Sequence, residues 1–252
     1  MPETTLSVII PVYNEEATLS TLLDRVAAVE LPVARELVIV DDGSTDGSAA
    51  AMRAWCERHP ETSAVVVQRE NGGKGAAVRD GIMRATGEVI IIQDADLEYD
   101  PNDYGACIAP ILAGEARVVY GSRERSRENR RHSSPAFYLG GICVSLWFSV
   151  LYGCRVTDEP TCYKTFDAGL IRALGFEGDG FEWEPEVTAK LLRLGIRIVE
   201  VPISYSPRRR GEGKKIRAAD GFRALWEALR WRFKAVAEER TRLAGVITEG
   251  SE

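Results

Sequence analysis

The sequence predicts an α/β protein, a mainly parallel sheet with helices on both faces, followed by an amphipathic C-terminal helix. Three observations lead there. Short apolar runs of strand length alternate with helix-length segments through the first half of the chain. Polar and glycine-rich clusters stand at the ends of those runs. A late segment, residues 218–243, repeats aromatic and aliphatic residues at helical spacing.

The strands read as LSVIIPV (6–12), ELVIVDD (36–42), AVVVQ (64–68), EVIIIQD (88–94) and ARVVYG (116–121). Each is apolar over several consecutive residues, the pattern of a strand covered on both faces. Residues 16–30 place Leu19, Leu22, Leu23 and Val26 on one helical face, and similar segments run over 48–58, 74–86 and 102–113. Strand-helix-strand alternation implies parallel pairing with right-handed crossovers. The apolar run 133–153, uncharged but diluted by Pro135, Gly140 and Gly141, reads as a buried or interfacial helix rather than a membrane span. In 218–243, Phe222, Leu225, Trp226, Leu229, Phe233 and Val236 share a face flanked by Arg223, Arg230, Arg232 and Lys234. Such a helix suits either a membrane interface or packing on the body. One catalytic domain over 1–216 and a helix with tail over 217–252 are expected.

The chain has 252 residues, 45% apolar and 28% charged, with a formal net charge of −6. That describes a globular protein and excludes collagen-like, disordered and disulfide-framework classes. An acidic balance argues against a nucleic-acid partner. Against it stand two basic stretches, 123–131 and 208–217. Cys56, Cys107, Cys143, Cys154 and Cys162 contain no C-x-x-C pair, and the N-terminus lacks a signal-peptide pattern, so a reducing, cytoplasmic location is expected, with attachment to the cytoplasmic membrane face as a peripheral protein.

Ligands of a parallel sheet bind outside the carboxyl ends of its strands. There the sequence places Pro11 to Glu15, Asp41 to Asp46, Asn71 to Gly75 and Asp94 to Asp96. Asp94 and Asp96 leave an apolar strand with side chains on the same side, a pair of hard oxygens suited to Mg²⁺ or Mn²⁺. Glu98 adds a third oxygen to that candidate metal site. Asn71-Gly-Gly-Lys74-Gly opens a helix, so its backbone N–H groups, the helix dipole and the Lys74 ammonium form a phosphate cradle by chemistry. Asp42 is a candidate to pair with the ring N–H groups of guanine or uracil, and Asp42 or Asp46 is equally a helix cap.

These residues assemble into a recognisable pattern. Ser7 to Glu15, Val40 to Asp46, Asn71 to Gly75, Gln93 to Leu97 and Gly121-Ser122-Arg123 resemble the family 2 glycosyltransferases of GT-A fold. Within them the resemblance is closest to the dolichyl-phosphate or polyprenyl-phosphate mannose (hexose) synthases. It continues through Thr157-Asp158, Glu186, Val201 to Ser204, Arg208 and Gly211 to Lys214. The resemblance implies that Pro11, Tyr13, Glu15 and Asp42 hold the nucleoside, that Lys74 lies near the donor, and that Asp94 and Asp96 hold the diphosphate through a divalent metal. Glu98 falls where relatives keep a Gln. Arg123, Arg208 and Lys214 match cations that grip an acceptor phosphate. The family's Arg-x-x-x-Ser has its nearest neighbours in Arg130, Arg131, Ser133 and Ser134, of which Arg131 is counted with the acceptor cations. Glu186 stands where relatives keep an acid, as a site-shaping residue or a base for a hydroxyl acceptor.

The resulting expectation is an inverting transfer of a hexose, with mannose from GDP-mannose favoured over a UDP-sugar, to a polyprenyl or dolichyl phosphate. A phosphate monoester is mostly a dianion at neutral pH and needs no general base. The competing expectations are transfer to a soluble or glycan hydroxyl and a non-catalytic lipid- or partner-binding subunit. A membrane surface, and a membrane-anchored partner subunit or a second copy, complete the expected partners.

Overall fold

The computed structural model describes residues 4–126, 129, 135–207 and 218–249. Arg131, Arg208 and Lys214, expected to hold the acceptor, lie outside the described residues, as do Arg130, Ser133 and Ser134.

Strand β1 (Thr5–Val12) is an interior strand, and its Leu6, Val8, Ile9 and Ile10 have no surface that water reaches. It pairs in parallel with β2 (Ala34–Asp41) on one side and β4 (Val89–Ile92) on the other. Strand β3 (Ala64–Gln68) extends the β2 side. The chain thus winds outward through β2 and β3, then returns to the opposite flank of β1. That reversal opens a crevice at the carboxyl ends of β1 and β4, where ligands of open α/β sheets sit. The crossovers are α1 (Leu19–Ala28), α2 (Ser48–Arg58) and α3 (Lys74–Arg84), each within two residues of its expected C-terminal end. Helix α1 buries the four residues its spacing predicted, Leu19, Leu22, Leu23 and Val26.

Beyond β4 the pairing departs from the parallel expectation. Helix α4 (Tyr104–Leu112) leads to β5 (Val118–Ser122), but β5 does not join β4. Strand β6 (Lys164–Asp167) inserts between them and runs antiparallel to both. Sequence reading missed β6 because its four residues, KTFD, carry chemistry in place of an apolar run. The Lys164 ammonium is buried and donates to the carbonyls of Glu159 and Thr161, both at 2.7 Å. Asp167 caps α6 (Ala168–Leu174) by accepting from the Leu170 amide. Strand β7 (Val199–Pro202) closes the sheet in parallel with β5, in the order β3-β2-β1-β4-β6-β5-β7.

A second apolar cluster lies between α5 (Pro135–Tyr152), α7 (Trp183–Arg193) and α8 (Ala218–Phe233), built from Val144, Phe148, Ala189, Ala228, Trp231 and Val236. The single helix expected over 218–243 is two, α8 and α9 (Ala237–Glu249). Arg193 explains the break. It donates to the carbonyls of Trp231 and Lys234, ending α8, and Val236 turns inward into the cluster. Helix α9 then packs on α6, with its Glu239 paired to Lys190 of α7 at 3.0 Å. The expected apolar face of α8 also divides. Of its residues Val236 is buried and Leu225 and Leu229 half-buried, whereas Phe222, Trp226 and Phe233 are 75, 61 and 78% exposed, and the helix instead buries Ala228 and Trp231, which the expected face did not include.

Candidate active site

The loops that follow β1 to β4 are stitched to one another by hydrogen bonds. Asn14 exchanges bonds with the β2 loop, its amide donating to Ser44 Oγ (3.1 Å) and its Oδ1 accepting from Thr45 N (2.8 Å). The Glu15 amide donates to Ser48 Oγ at 2.9 Å, and Thr18 Oγ1 reaches across to the Ala95 carbonyl at 2.8 Å. Pro11 fits inside this central strand for a definite reason. The Ile9 carbonyl accepts from Gln93 N, so Pro11, two residues on, faces the same flank past the end of β4, where its missing N–H is not needed. Tyr13 exposes its ring at the mouth of the crevice, beside Glu15.

Asp94 and Asp96 stand at the carboxyl end of β4, and their support is rigid. The Gln93 side chain donates to the Asp94 carbonyl (2.8 Å) and accepts from the hydroxyls of Tyr104 (2.6 Å) and Tyr163 (2.7 Å). Beneath, the buried Cys162 thiol accepts from the Asp94 amide at 3.2 Å, and desolvation pushes its pKa well above the ordinary thiol value, so it stays protonated. Leu97 is held in the left-handed region (φ 61°), a conformation that costs an L-residue roughly 1–2 kcal/mol. The Asp96 carboxylate, accepting from Glu98 N at 3.1 Å, spans that strained turn.

Lys74 is the cation of the crevice. Its Nζ lies 2.8 Å from Asp94 and 2.9 Å from Glu184. Burial by itself would lower the lysine pKa, but the two carboxylates outweigh it and hold the pKa well above the usual value. The ammonium is therefore permanently charged.

The rest of the expected phosphate cradle is closed on itself. The amides of Gly72 and Gly73 donate to Asp42 at 3.0 and 2.8 Å, and the Ala76 amide donates to the Asp179 carbonyl at 3.0 Å. The glycines serve close approach. Gly73 has φ 100°, and a Cβ there would fall 2.6 Å from the Asp179 carbonyl oxygen. Asp42 is spent in the same loop, because Arg69 also donates to its carboxylate. As built, Asp42 shapes the loop, and Asp46 caps α2 through the Ser48 amide at 2.9 Å. Reading a nucleobase through Asp42 would require Arg69 to yield.

Two further expectations are redistributed. Glu186 is buried away from the crevice, paired with Lys190 at 2.8 Å and accepting from the amides of Glu177 and Gly178, both at 2.8 Å. It shapes the loop that covers the start of α3 and is not placed to act as a base. Glu184, two residues earlier, is the acid that reaches Lys74. Helical geometry separates residues two apart onto opposite faces, and Glu186 shares its face with Lys190, which is the signal by which the sequence could have chosen Glu184. Glu98 accepts from the Tyr205 hydroxyl at 2.7 Å, and among the described residues no group of three acids, histidines or cysteines is placed to hold a metal ion. The candidate donors are therefore the carboxylates of Asp94 and Asp96, with Glu98 engaged by Tyr205. Hard oxygen donors at the mouth of a crevice fit Mg²⁺ or Mn²⁺ when a diphosphate supplies the remaining ligands.

Arg123 follows β5 and lies over the rings of Tyr205 (5.0 Å) and Tyr99 (5.9 Å). Its Nε and Nη2 clasp Asp158 at 2.8 and 2.7 Å, and Nη2 also donates to the Pro160 carbonyl. Nη1 makes no hydrogen bond among the described residues, so one edge of the guanidinium remains for an anion. Burial would lower its pKa, but Asp158 holds it well above the ordinary arginine value.

Next to Asp158, Glu159 is fully buried, accepting from Thr188 Oγ1 at 3.0 Å. Desolvation raises its pKa from 4.5 to about 7, against the opposing pull of Lys164. Between those two values the folded chain holds a proton that the unfolded chain releases. Stability therefore falls as pH rises through this window and levels off above it. Glu159→Gln should gain roughly 3 kcal/mol relative to the parent on going from below pH 4.5 to pH 8, measured by denaturant unfolding. A constant difference across that range would mean that folding leaves the Glu159 pKa unshifted.

The model of the Glycosyl transferase family 2 family matches residues 7–160. Among curated proteins, the chain is 28% identical to a dodecaprenyl-phosphate galacturonate synthase of Rhizobium johnstonii, covering 83% of this chain and 61% of that protein. It is 39% identical to an undecaprenyl-phosphate 4-deoxy-4-formamido-L-arabinose transferase of Pseudomonas paraeruginosa, covering 83% of this chain and 60% of that one. The chain thus spans about three-fifths of the length of these relatives. Among solved structures, a glucosyl-3-phosphoglycerate synthase from Mycobacterium tuberculosis, in complex with Mn²⁺, UDP and phosphoglyceric acid, shares the fold. Its TM-score is 0.69 at 22% identity, over 93% of this chain and 80% of that one.

Proposed function

The chain belongs to glycosyl transferase family 2, and from that premise we propose that it transfers a sugar from a nucleoside diphosphate sugar to a polyprenyl phosphate. The observation that carries this reading is the pairing of opposite charges across one sheet edge. The carboxylates Asp94 and Asp96 and the partly buried guanidinium of Arg123 stand at the ends of β4 and β5, linked through Tyr99 and Tyr205. The names of the relatives, polyprenyl-phosphate sugar transferases, support it.

Tyr13 and Pro11 offer a wall for the nucleoside, and Glu15 lies beside them. Asp94 and Asp96 would hold Mg²⁺ or Mn²⁺, which when bound supplies charge neutralisation to the leaving nucleoside diphosphate. Lys74 adds a fixed positive charge at Asp94, in a position to accompany the same diphosphate. Arg123 orients the acceptor phosphate through its remaining N–H groups, with Arg131, Arg208 and Lys214 as further candidates. The dianion attacks the anomeric carbon without a base, so catalysis is alignment and electrostatics, and an α-linked donor gives a β-linked product. A hydroxyl acceptor is disfavoured because Glu186, its candidate base, is held in an ion pair with Lys190.

The sugar expected from the sequence was mannose from GDP-mannose. The relatives' names carry galacturonate and 4-deoxy-4-formamido-L-arabinose instead, and the structural neighbour is solved with UDP, so UDP-sugars enter the proposal on equal terms. No helix among the described residues is long and apolar enough to cross a membrane. Leu146 and Val150 of α5 and Phe222, Trp226 and Phe233 of α8 are exposed apolar side chains suited to a lipid surface.

The test is product identification by mass after incubation with Mg²⁺ or Mn²⁺, a panel of GDP- and UDP-sugars, and a polyprenyl phosphate. A lipid phosphate sugar is the expected product. Transfer to hydroxyl acceptors alone, or metal-dependent nucleotide binding with no transfer, would replace this reading by one of its two competitors.

A further inference from the structure

At the β7 edge of the sheet lies a cavity of about 490 Å³ that none of the functions above uses. Its wall carries Arg125, Arg155 and Arg197 together with Thr157, Glu124 and Glu200, three cations against two acids. The three arginines come from separate places in the chain, one after β5, one after α5 and one at the entry to β7. Like charges gathered from three segments repel unless something anionic joins them.

Glu200 does not discharge that role. The Glu200 carboxylate is turned to the backbone, its Oε1 accepting from the amides of Thr157 at 2.7 Å and Asp158 at 3.2 Å. Arg125 donates to the Glu200 carbonyl oxygen, using one of its N–H groups. Neither Arg155 nor Arg197 makes an ion pair among the described residues. Three exposed guanidinium forks around a space of this size suit a tetrahedral dianion, because each fork can present parallel N–H groups to two of its oxygens. The volume is that of a small-molecule site, larger than an isolated ion needs.

We propose that this cavity is a second anion site, which binds a phosphoryl group separately from the acceptor phosphate at Arg123. Glu200 connects the two. It holds the Thr157 and Asp158 amides, and Asp158 clasps Arg123, so a ligand in the cavity is one hydrogen-bonded step from the acceptor clamp. The phosphoryl group can come from a lipid headgroup or from a free phosphate compound. A lipid source is within reach because the exposed face of α5 runs toward Arg155, and Arg232 of α8 donates to the Leu151 carbonyl just before it. The inference does not depend on sugar transfer.

Arginine modification by phenylglyoxal, read residue by residue through peptide mass, tests this on the full unaltered chain. Inorganic phosphate, compared with chloride at equal ionic strength, should slow modification of Arg155 and Arg197 about tenfold at ten times its dissociation constant. Arg53, exposed on α2, is the reference and should react equally in both salts. A second arm replaces phosphate by phosphatidylcholine vesicles with and without phosphatidylglycerol. Protection by phosphate and by the phosphatidylglycerol vesicles supports the site with a lipid headgroup as its source, and protection by phosphate alone supports it with a free phosphate compound. Equal rates at Arg155, Arg197 and Arg53 in every condition would overturn it.

Discussion

Asp96→Asn should lower turnover by about 10²- to 10⁴-fold while leaving the fold unchanged, the loss expected when a site that contributes several kcal/mol of transition-state charge stabilisation gives up one anionic oxygen. The position is well suited to the test. Asp96 accepts a hydrogen bond from the Glu98 amide at 3.1 Å, and the Asn carbonyl oxygen can accept it equally well. The turn at Leu97 therefore keeps that bond while the carboxylate charge is removed. Asp94→Asn is a poorer probe, because it also strips Lys74 of one of its two carboxylate partners. Turnover, melting temperature and calorimetric Mn²⁺ binding in the presence of nucleoside diphosphate should be measured together. Full turnover in a folded Asn variant would remove Asp96 from the site.

Much of this arrangement was legible in the sequence, and the exceptions share a cause. Strands β1, β2 and β4 are continuous β-branched runs, and burial on both faces leaves few other readings. The convergence of the Pro11, Asp42, Lys74 and Asp94 loops follows from parallel topology, which places successive strand ends on one edge. Strand β6 was invisible because its pattern is polar: its buried lysine turns back to satisfy two carbonyls of the preceding loop, so no hydrophobic periodicity marks the strand. What one carboxylate does instead of another was also beyond sequence reading. Asp42 turned out to be a loop anchor through Arg69, Gly72 and Gly73, and those partners lie about thirty residues away, brought close by the fold. The choice of Glu184 over Glu186 was legible in principle, since Lys190 stands one helical turn after Glu186 and claims that face. The split of the C-terminal segment depends on Arg193, a residue of a different helix.

Arg123 carries the second large effect, and its structural and chemical roles can be separated. Asp158 is buried, and Arg123 is its bidentate partner at 2.7 and 2.8 Å. Arg123→Ala should therefore cost about 3–5 kcal/mol of stability, the penalty for leaving one member of a buried ion pair without the other. The double variant Arg123→Ala/Asp158→Ala removes the stranded charge and should recover most of that loss. Acceptor use should not recover with it, because the guanidinium edge that faces the incoming phosphate is still missing. With polyprenyl phosphate as the varied substrate, kcat/KM should stay at least about 30-fold below the parent, equivalent to the roughly 2 kcal/mol that a charge-assisted hydrogen bond contributes. Nucleotide affinity should remain near the parent value, since the proposed donor residues stand in the loops after β1 and β4, away from β5. Arg123→Lys should fall between, supplying charge without the fork that spans Asp158 and the phosphate together. If the double variant regains transfer as it regains stability, Arg123 serves Asp158 alone, and the acceptor phosphate must be held by other cations of the chain.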